Sequence, residues 1–198
     1  TELTRSLAVL SQTNALEFSF TVEEVIQFGR APHDTGVEID NRIITHLADL
    51  LDLTHLLNRS YTELSGGEKQ RTQIARVMAQ LLRLSDIESL QQGKEENPRV
   101  LLLDEPLSSL DLGHQQQVMR AIAMLKTVGV TVIMVVHDIN IAAQYADTVL
   151  VLADGSMLTC GSPQAVITPE MLQEMFAVDL SVSKHPDTGR PVVLPLTD

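Results

Sequence analysis

Cysteine and long apolar runs are almost absent from this sequence. Its one cysteine, Cys160, excludes an intrachain disulfide and fits a reducing compartment. No apolar run approaches the roughly 18 residues that a membrane-spanning helix needs. The longest runs, 100–103 and 130–136, have the length of buried strands. These absences favour a globular protein without a membrane span of its own.

Positive charge is scarce as well. The sequence has 14 Lys and Arg residues against 26 Asp and Glu residues, a formal net charge of −12. Because nonspecific nucleic-acid binding and polybasic membrane contacts both rely on Lys and Arg, we expect neither. The 198 residues, 44% hydrophobic and 20% charged, are enough for one globular domain, or for one domain with a small appendage.

The sequence also contains no GxxxxGK[ST] phosphate-binding loop. Its one Gly-Lys pair, Gly93-Lys94, lies in the polar stretch 85–98, which we interpret as a surface insertion or linker. No glycine stands five residues before Gly93, so this pair is not a displaced loop of that type. If the chain holds a nucleotide, the usual cradle for its phosphates is not in these residues.

The hydrophobic pattern alternates between strand and helix along most of the chain. The predicted strands are 7–10, 100–103, 131–136, 148–152 and 156–159, with a tight turn at Asp154-Gly155 before the last. The predicted helices are 22–28 after a capping box at Thr21–Glu24, about 39–57, one that starts with a capping box at Ser65–Glu68, 115–126, 139–145 and two opened by Ser162-Pro163 and Thr168-Pro169, before an extended tail. This order predicts an α/β core with a mainly parallel sheet, formed by 1–20 and 85–198, into which a helical subdomain over about 21–84 is inserted.

Two carboxylates follow the predicted strand 100–103. Asp104 and Glu105 would lie at the carboxyl end of a buried strand, where ligands bind in open α/β sheets. The first carboxylate is placed to hold Mg²⁺, and the second to orient or deprotonate a water molecule. The alternative is a strand that ends in a polar turn at Pro106, and this segment alone leaves both interpretations open.

The segment LSGGEKQR at 64–71 combines a helix start with two glycines. Free backbone N–H groups, the helix dipole and the Ser65 hydroxyl suit a phosphate, and Gly66 and Gly67 have no Cβ to keep it away. An ordinary capped helix start explains the same residues without any ligand.

Three further residues carry weaker signals. Asp111 either belongs to a functional loop or is simply the N-cap of the helix after it. His137 ends the next buried strand, on the predicted sheet edge of the two carboxylates, where it is placed to contact a phosphate. A histidine alone at a strand end is more often structural, and Gln12 after the first strand is unremarkable by itself.

Taken in order, LSGGEKQR, LLLDEP, SSLD and VVHD resemble the motifs of the ATP-binding cassette (ABC) ATPase family. The segment 64–68 is similar to the signature motif, 101–105 to the Walker B strand and 108–111 to the D-loop. His137 resembles the switch histidine, and Gln12 stands where the Q-loop glutamine is expected. The resemblance covers essentially the whole chain and implies the family's α/β P-loop NTPase core.

The resemblance implies a role for each matching residue. Asp104 would organise Mg²⁺, and Glu105 would be the general base on the attacking water. His137 would contact the γ-phosphate of ATP, while Gln12 would reach Mg²⁺ and couple the site to a partner.

The resemblance also implies a dimer. Ser65, Gly66 and Gly67 would bind the γ-phosphate of a nucleotide held mainly by a second copy of the subunit, with Asp111 as a further nucleotide-binding residue. Two cassettes would then enclose two ATP molecules between them, so that closure of the dimer is part of the mechanism.

Two departures from the family pattern matter. The family's first strands, its adenine-stacking aromatic residue and its Walker A lysine precede the Q-loop, but here Gln12 comes almost at once. We therefore expect an N-terminally truncated, partial ABC domain over 1–198 that is inactive alone; the alternative is a noncatalytic scaffold. Leu107 stands where a small or hydroxyl residue usually follows the proline, a change expected to affect packing.

Variable segments resemble one importer group. The tail 161–182 is similar to those of bacterial importers for iron-siderophores, haem and cobalamin, and the segments 84–99, 111–118 and 185–195 look most like haem (hemin) import ATPases. This implies an ATPase that energises haem import through a separate transmembrane permease, peripherally bound at the cytoplasmic face of the bacterial inner membrane. A periplasmic or surface substrate-binding protein would be an indirect partner. The alternatives are an iron-siderophore or cobalamin importer ATPase, and a soluble ABC ATPase that acts on nucleic acid or ribosomes.

Overall fold

The computed structural model describes residues 2–11, 19–88, 97–177 and 179–196. Contacts within the chain divide it into two units, Thr1–Val135 and Val136–Asp198. No helix in the described ranges is long and apolar enough to cross a membrane.

A parallel sheet of three strands lies in the first unit. The strands are β1 (Leu7–Leu10), β2 (Arg99–Asp104) and β3 (Val130–Val135), in the spatial order β1-β2-β3. Leu7 lies opposite Val100, and Asp104 lies opposite Val135. The predicted parallel pairing is therefore confirmed for these strands, and it brings the carboxyl ends of β2 and β3 to the same edge.

Helices and short turns separate these strands along the chain. They are α1 (Glu2–Ser6), α2 (Val22–Phe28), α3 (Val37–Leu50), α4 (Gly66–Leu81), α5 (Leu84–Ile87) and α6 (Leu112–Thr127), with 3₁₀ turns at Thr54–Leu56 and Tyr61–Glu63. The four helices α2 to α5 follow β1 and precede β2, although these two strands pair directly. The proposed division into a helical subdomain over about 21–84 and a remaining core stays a prediction.

The predicted helix over about 39–57 is wrong at its end. Helix α3 stops at Leu50, and Asp52 takes a left-handed conformation with φ +52°. The N–H of Leu53 then donates to the Ala48 carbonyl group at 2.7 Å, which closes the turn. The apolar spacing continues past the helix because Leu53 and Leu56, which lie in the turn that follows it, are also buried. Periodicity alone does not distinguish this from a helix.

Helix α2 packs closely against α4. Val22, Val25 and Ile26 of α2 are fully buried. Next to them, the buried Arg30 donates hydrogen bonds to the carbonyl groups of Ala79, at 2.6 Å, and of Leu82, at 2.8 Å. These acceptors lie at the C-terminal end of α4, where carbonyl groups lack partners within the helix. The arginine thereby holds the end of the helix that begins at the predicted anion site.

The second unit is built from helix α7 (Ile139–Tyr145), strands β4 (Val149–Ala153) and β5 (Ser156–Gly161), helices α8 (Pro163–Val166) and α9 (Pro169–Phe176), and strands β6 (Leu180–Lys184) and β7 (Pro191–Pro195). Strands β4 and β5 form an antiparallel hairpin. Its turn residues Asp154 and Gly155 both have positive φ, 49° and 73°, as the sequence predicts. The two Pro-led helices are also confirmed.

The extended tail is a hairpin rather than a single extended segment. Strands β6 and β7 pair antiparallel, with Val182 opposite Val193. Val193 enters the core of this unit together with Ala143, Val151, Val166, Ile167, Met171 and Leu172. The prediction missed the pairing because the two strands are short and joined by a loop with no two-residue turn signal.

Candidate functional site

Ser65 caps helix α4 through a reciprocal pair of hydrogen bonds. Its Oγ accepts from the Glu68 N–H at 3.3 Å, and its own N–H donates to the Glu68 carboxylate at 2.7 Å. The bond from the Ser65 N–H is the main cause that holds the pKa of Glu68 below its ordinary value. The predicted capping box is confirmed, and it leaves the N–H groups of Gly66 and Gly67 without an acceptor among the described residues.

The two glycines differ in their surroundings. Gly66 is exposed, and a Cβ added there would meet only the Ser109 Cβ, at 4.0 Å. A Cβ on Gly67 would lie 3.2 Å from the Ser109 carbonyl oxygen and 3.5 Å from Leu110 Cδ2. The start of α4 thus lies against the segment 108–111 of the same chain, and the missing Cβ at Gly67 permits this approach.

Two glutamines hold the segment between β2 and α6. Gln70 Nε2 donates to the Pro106 carbonyl group at 3.1 Å. Gln115 Nε2 donates to the carbonyl groups of Leu107, at 3.3 Å, and Leu110, at 3.2 Å. Leu107 is only 7% exposed, in agreement with the expected effect on packing. Sequence reasoning missed both glutamines because their acceptors are backbone groups that no motif marks.

Asp104 and Glu105 lie at the carboxyl end of β2, as predicted. Both side chains are half-buried. Glu105 has a left-handed φ of +47°, while its N–H donates to the Val135 carbonyl group at 3.1 Å. A non-glycine residue in this conformation costs on the order of 1–3 kcal/mol, and such strain is concentrated at functional sites. The same conformation occurs in the described residues at Asp52, Asp154 and Ala177, so it does not by itself distinguish a functional carboxylate from a polar turn, and the role of Glu105 stays a prediction.

Asp111 is the N-cap of α6. Its carboxylate accepts from the His114 N–H at 2.9 Å, and its other oxygen lies 2.8 Å from His114 Nδ1. The hydrogen bond from the His114 N–H, followed by that from the ring, lowers the pKa of Asp111. The N-cap interpretation is confirmed, and a nucleotide-binding role for this exposed residue stays a prediction.

The remaining two candidates lie elsewhere. His137 belongs to the second unit, where it is exposed and directly precedes Asp138, the N-cap of α7. Its predicted position beside the carboxylates of the first unit stays a prediction. Gln12 lies outside the described residues, so its role also stays a prediction.

These residues fit a phosphate-bound Mg²⁺ better than a metal held by protein alone. In the described part of the chain, no group of three or more His, Cys, Asp or Glu side chains is arranged to hold a metal ion. Mg²⁺ is usually held by one or two carboxylates, with water and substrate phosphates completing its shell. The half-buried Asp104 fits such a site, and the unpaired N–H groups of Gly66 and Gly67 fit phosphate oxygens.

A cavity of about 750 Å³ in the first unit is lined by other residues: Glu2, Arg5, Ser6, Arg30, His33, Thr35, Ile39, Arg83, Leu84 and Asn97. Burial is the main cause that lowers the pKa of His33 in this lining, with the charges of Arg30 and Arg5 acting in the same direction. Because no motif residue lines the cavity, it is not the candidate site.

The chain is similar in sequence to known proteins. The profile of the ABC transporter family matches residues 1–84. The chain is 43% identical to the hemin import ATP-binding protein HmuV of Plesiomonas shigelloides over 191 residues, 95% of this chain and 72% of that protein. It is 41% identical to the protein of the same name from Pseudomonas aeruginosa over 188 residues, 95% of this chain and 69% of that protein.

Solved structures are similar as well. A metal-chelate type ABC transporter in an inward-facing conformation superposes with a TM-score of 0.73 at 25% identity, over 97% of this chain and 73% of that chain. The ATP-binding cassette MJ1267 of an ABC transporter superposes with a TM-score of 0.65 at 21% identity, over 88% of this chain and 70% of that chain. These similarities confirm the predicted α/β fold.

Proposed function

The chain belongs to the ATP-binding proteins of the ABC transporter family, and we propose that it hydrolyses ATP to energise the import of haem through a separate transmembrane permease. The hemin import proteins that it resembles each match 95% of the chain, far more than the short motifs alone. An agreement that extends beyond the motifs supports the substrate as well as the ATPase activity.

The start of α4 carries the ATPase proposal. The N–H groups of Gly66 and Gly67 lack acceptors among the described residues, and Gly66 is exposed. The positive end of the helix dipole lies at the same end of α4 and also favours an anion there. Gly67 also lies against Ser109, so the signature and the D-loop form one surface. In this proposal that surface binds the γ-phosphate of ATP held by a second copy of the chain, with Ser65 and Asp111 beside it.

The carboxylates at the end of β2 act on the ATP held on their own side of the dimer, whose phosphates also need a loop that these 198 residues do not contain. A bound Mg²⁺ supplies charge neutralisation on the phosphates. Asp104 holds that ion, together with Gln12, and Glu105 orients the attacking water and accepts its proton. His137 donates a hydrogen bond to the γ-phosphate. The position of both half-buried carboxylates at the carboxyl end of β2 supports this assignment, because ligands bind at that edge of open α/β sheets.

The proposed assembly follows from the division of each ATP site between two copies of the chain. Two copies of the chain bind peripherally to permease subunits at the cytoplasmic face of the bacterial inner membrane, and a substrate-binding protein delivers haem to the permease from the other side. The second candidate substrate is an iron-siderophore or cobalamin, which like haem is a metal chelate, the class named for one of the similar structures.

The general base is tested by Glu105→Gln in the assembled transporter. We expect ATP hydrolysis to fall by about 10²- to 10⁴-fold, the usual contribution of a general base, while ATP binding is kept. The control is Glu38→Gln, an equivalent change at an exposed position in the first turn of α3. Wild-type turnover in Glu105→Gln would show that another group accepts the proton.

The division of the site between two copies is tested with mixed dimers. Ser65→Arg places a long side chain at the exposed N-cap of α4 and should abolish hydrolysis in a homodimer. A dimer of one Ser65→Arg copy and one Glu105→Gln copy then has one intact site if the signature serves its partner. If the signature serves its own chain, both sites are damaged and the mixed dimer is inactive.

The substrate is tested with vesicles that contain the assembled transporter. We expect ATP-dependent uptake of haem, with no uptake in Glu105→Gln vesicles. Uptake of an iron-siderophore or cobalamin without uptake of haem would favour the second candidate.

A further inference from the structure

Helix α7 follows the candidate switch histidine and is short. It begins at Ile139, two residues after His137, and its seven residues end at Tyr145. A helix of this length is not stable alone in water, so its position depends on the groups that it packs against. Within the second unit, those groups come mainly from β7 and the residue before it.

Asn140 of α7 joins the helix to β7. Its Nδ2 donates to the Val193 carbonyl group at 3.1 Å, and its Oδ1 accepts from the Val193 N–H at 2.8 Å. One side chain thus satisfies both backbone groups of a strand residue that is itself buried. The pair of bonds is the arrangement that a neighbouring strand would otherwise supply.

The C-terminal half of α7 is held in the same way. Gln144 Nε2 donates to the Pro191 carbonyl group at 2.7 Å. Arg190 donates from one guanidinium nitrogen to the carbonyl groups of Ala143, at 3.3 Å, and Ala146, at 2.9 Å. A helix leaves its last carbonyl groups unpaired and carries negative partial charge at that end, so a guanidinium satisfies both needs.

These contacts restrict the helix more than apolar packing would. Hydrogen bonds have preferred distances and angles, so bonds at Asn140, Gln144 and Arg190 limit both rotation of α7 and movement along its axis. At the other end, the Asp138 carboxylate accepts from the Asn140 N–H at 2.8 Å and ties the first turn to the residue next to His137. The position of the His137 backbone is therefore coupled to the β6–β7 hairpin.

We propose that the β6–β7 hairpin positions His137 for ATP hydrolysis, with Asn140 and Arg190 as positioning residues. The inference depends on the role of His137 in the proposed function. The hairpin itself touches no nucleotide in this scheme. It acts by holding the helix whose first turn follows the histidine.

The test compares kcat and KM for ATP in the assembled transporter. Arg190→Ala and Asn140→Ala should each lower kcat by about tenfold or more, with little change in KM, because transition-state contacts and not ATP binding are lost. Arg190→Lys should fall between the parent and Arg190→Ala, since an ammonium can still donate to one carbonyl group. The control is Ser181→Ala, which removes a hydrogen bond to the Leu194 carbonyl group within the same hairpin and should keep the parent kcat.

A double-mutant cycle separates positioning from general loss of structure. In a His137→Ala background, Arg190→Ala should have no further effect on kcat. Parent kcat in Arg190→Ala and Asn140→Ala, or a loss that adds fully to that of His137→Ala, would overturn the inference. If Arg190→Ala does not fold, Gln144→Ala, which removes the hydrogen bond to the Pro191 carbonyl group and a longer one from Thr188 Oγ1, is judged by the same comparison.

The same kinetic data distinguish failure of the proposed role of His137 from failure of the hairpin inference. If His137→Ala keeps the parent kcat, the role of His137 in the proposed function is wrong and the hairpin inference fails with it. If His137→Ala loses activity and the hairpin variants do not, the proposed function stands and the hairpin inference alone is wrong.

Discussion

Gly29 offers a sharp test of how α2 and α4 pack. Its φ of −62° and ψ of −25° are ordinary for any residue, so backbone conformation does not require a glycine there. The requirement is steric: a Cβ would lie 2.1 Å from the Arg76 carbonyl oxygen and 3.0 Å from the Ala79 Cβ. To bring the first contact to 3.0 Å, the Gly29→Ala variant must move the two backbones apart by about 0.9 Å.

The cost of Gly29→Ala follows from this displacement. Overpacking typically costs about 1–3 kcal/mol, and the upper end applies here because the atom struck is a helix carbonyl that cannot rotate away. The shift also loosens α2, whose Val25 and Ile26 are fully buried. Replacing glycine restricts the unfolded chain and returns about 0.4–1 kcal/mol. We expect a net destabilisation of about 2 kcal/mol.

Urea unfolding followed by circular dichroism measures this effect. With an m value of about 2 kcal/mol/M, the midpoint should fall by about 1 M. The control is Gly113→Ala on α6, where an added Cβ meets only Asp111 Oδ1, at 3.4 Å. That variant should keep or raise the midpoint, because alanine is favoured over glycine in a helix by about 1 kcal/mol. A Gly29→Ala midpoint equal to that of the parent would show that α2 and α4 accommodate the added Cβ without cost.

Two further predictions concern helix capping and pH. Thr21→Ala should lower the free energy of unfolding by about 1 kcal/mol, because Thr21 Oγ1 accepts from the Glu24 N–H, whereas Thr21→Ser should not. Equal urea midpoints for the two variants would contradict this. Burial would raise the pKa of Asp40, but hydrogen bonds from Arg30 and Thr35 outweigh it and the pKa lies below its ordinary value. The stability from Asp40 is therefore fully present above pH of about 4 and is lost as the pH falls through the folded-state pKa. The free energy of unfolding, measured from pH 7 to pH 3, should fall less steeply in Asp40→Asn, and parallel curves would exclude the effect.

Several elements could be predicted because few neighbouring residues decide them. The capping boxes at Thr21 and Ser65 each need one side chain three residues away. The turn at Asp154-Gly155 needs two residues that accept positive φ, and the helices at Pro163 and Pro169 need a hydroxyl residue followed by proline. In each case the partner atoms lie within the same short segment, so the sequence of that segment is enough to predict the element.

Other features depend on partners far along the chain. Helix α3 ends at Leu50, but the apolar spacing continues beyond it. Buried positions in a turn and in a helix are both filled by apolar residues, so the spacing does not show where the helix ends. The tail forms a hairpin, and its residues 190–193 bind α7, about 50 positions earlier in the chain. Neither the backbone conformation of Gly29 nor its neighbours in the sequence require a glycine at this position. Its neighbour is a carbonyl group 47 positions away.

Residue identity fixes which chemical groups this protein has available: a carboxylate pair after a predicted buried strand, a helix start with two glycines, and a histidine after the next predicted strand. The tertiary fold set the surroundings of the carboxylates and of the helix start. It strained the backbone at Glu105, set Gly67 against Ser109 and fixed the intervening loop with Gln70 and Gln115. The reason is physical: residue type specifies which bonds an atom can make, whereas packing of distant segments specifies which atoms come within reach.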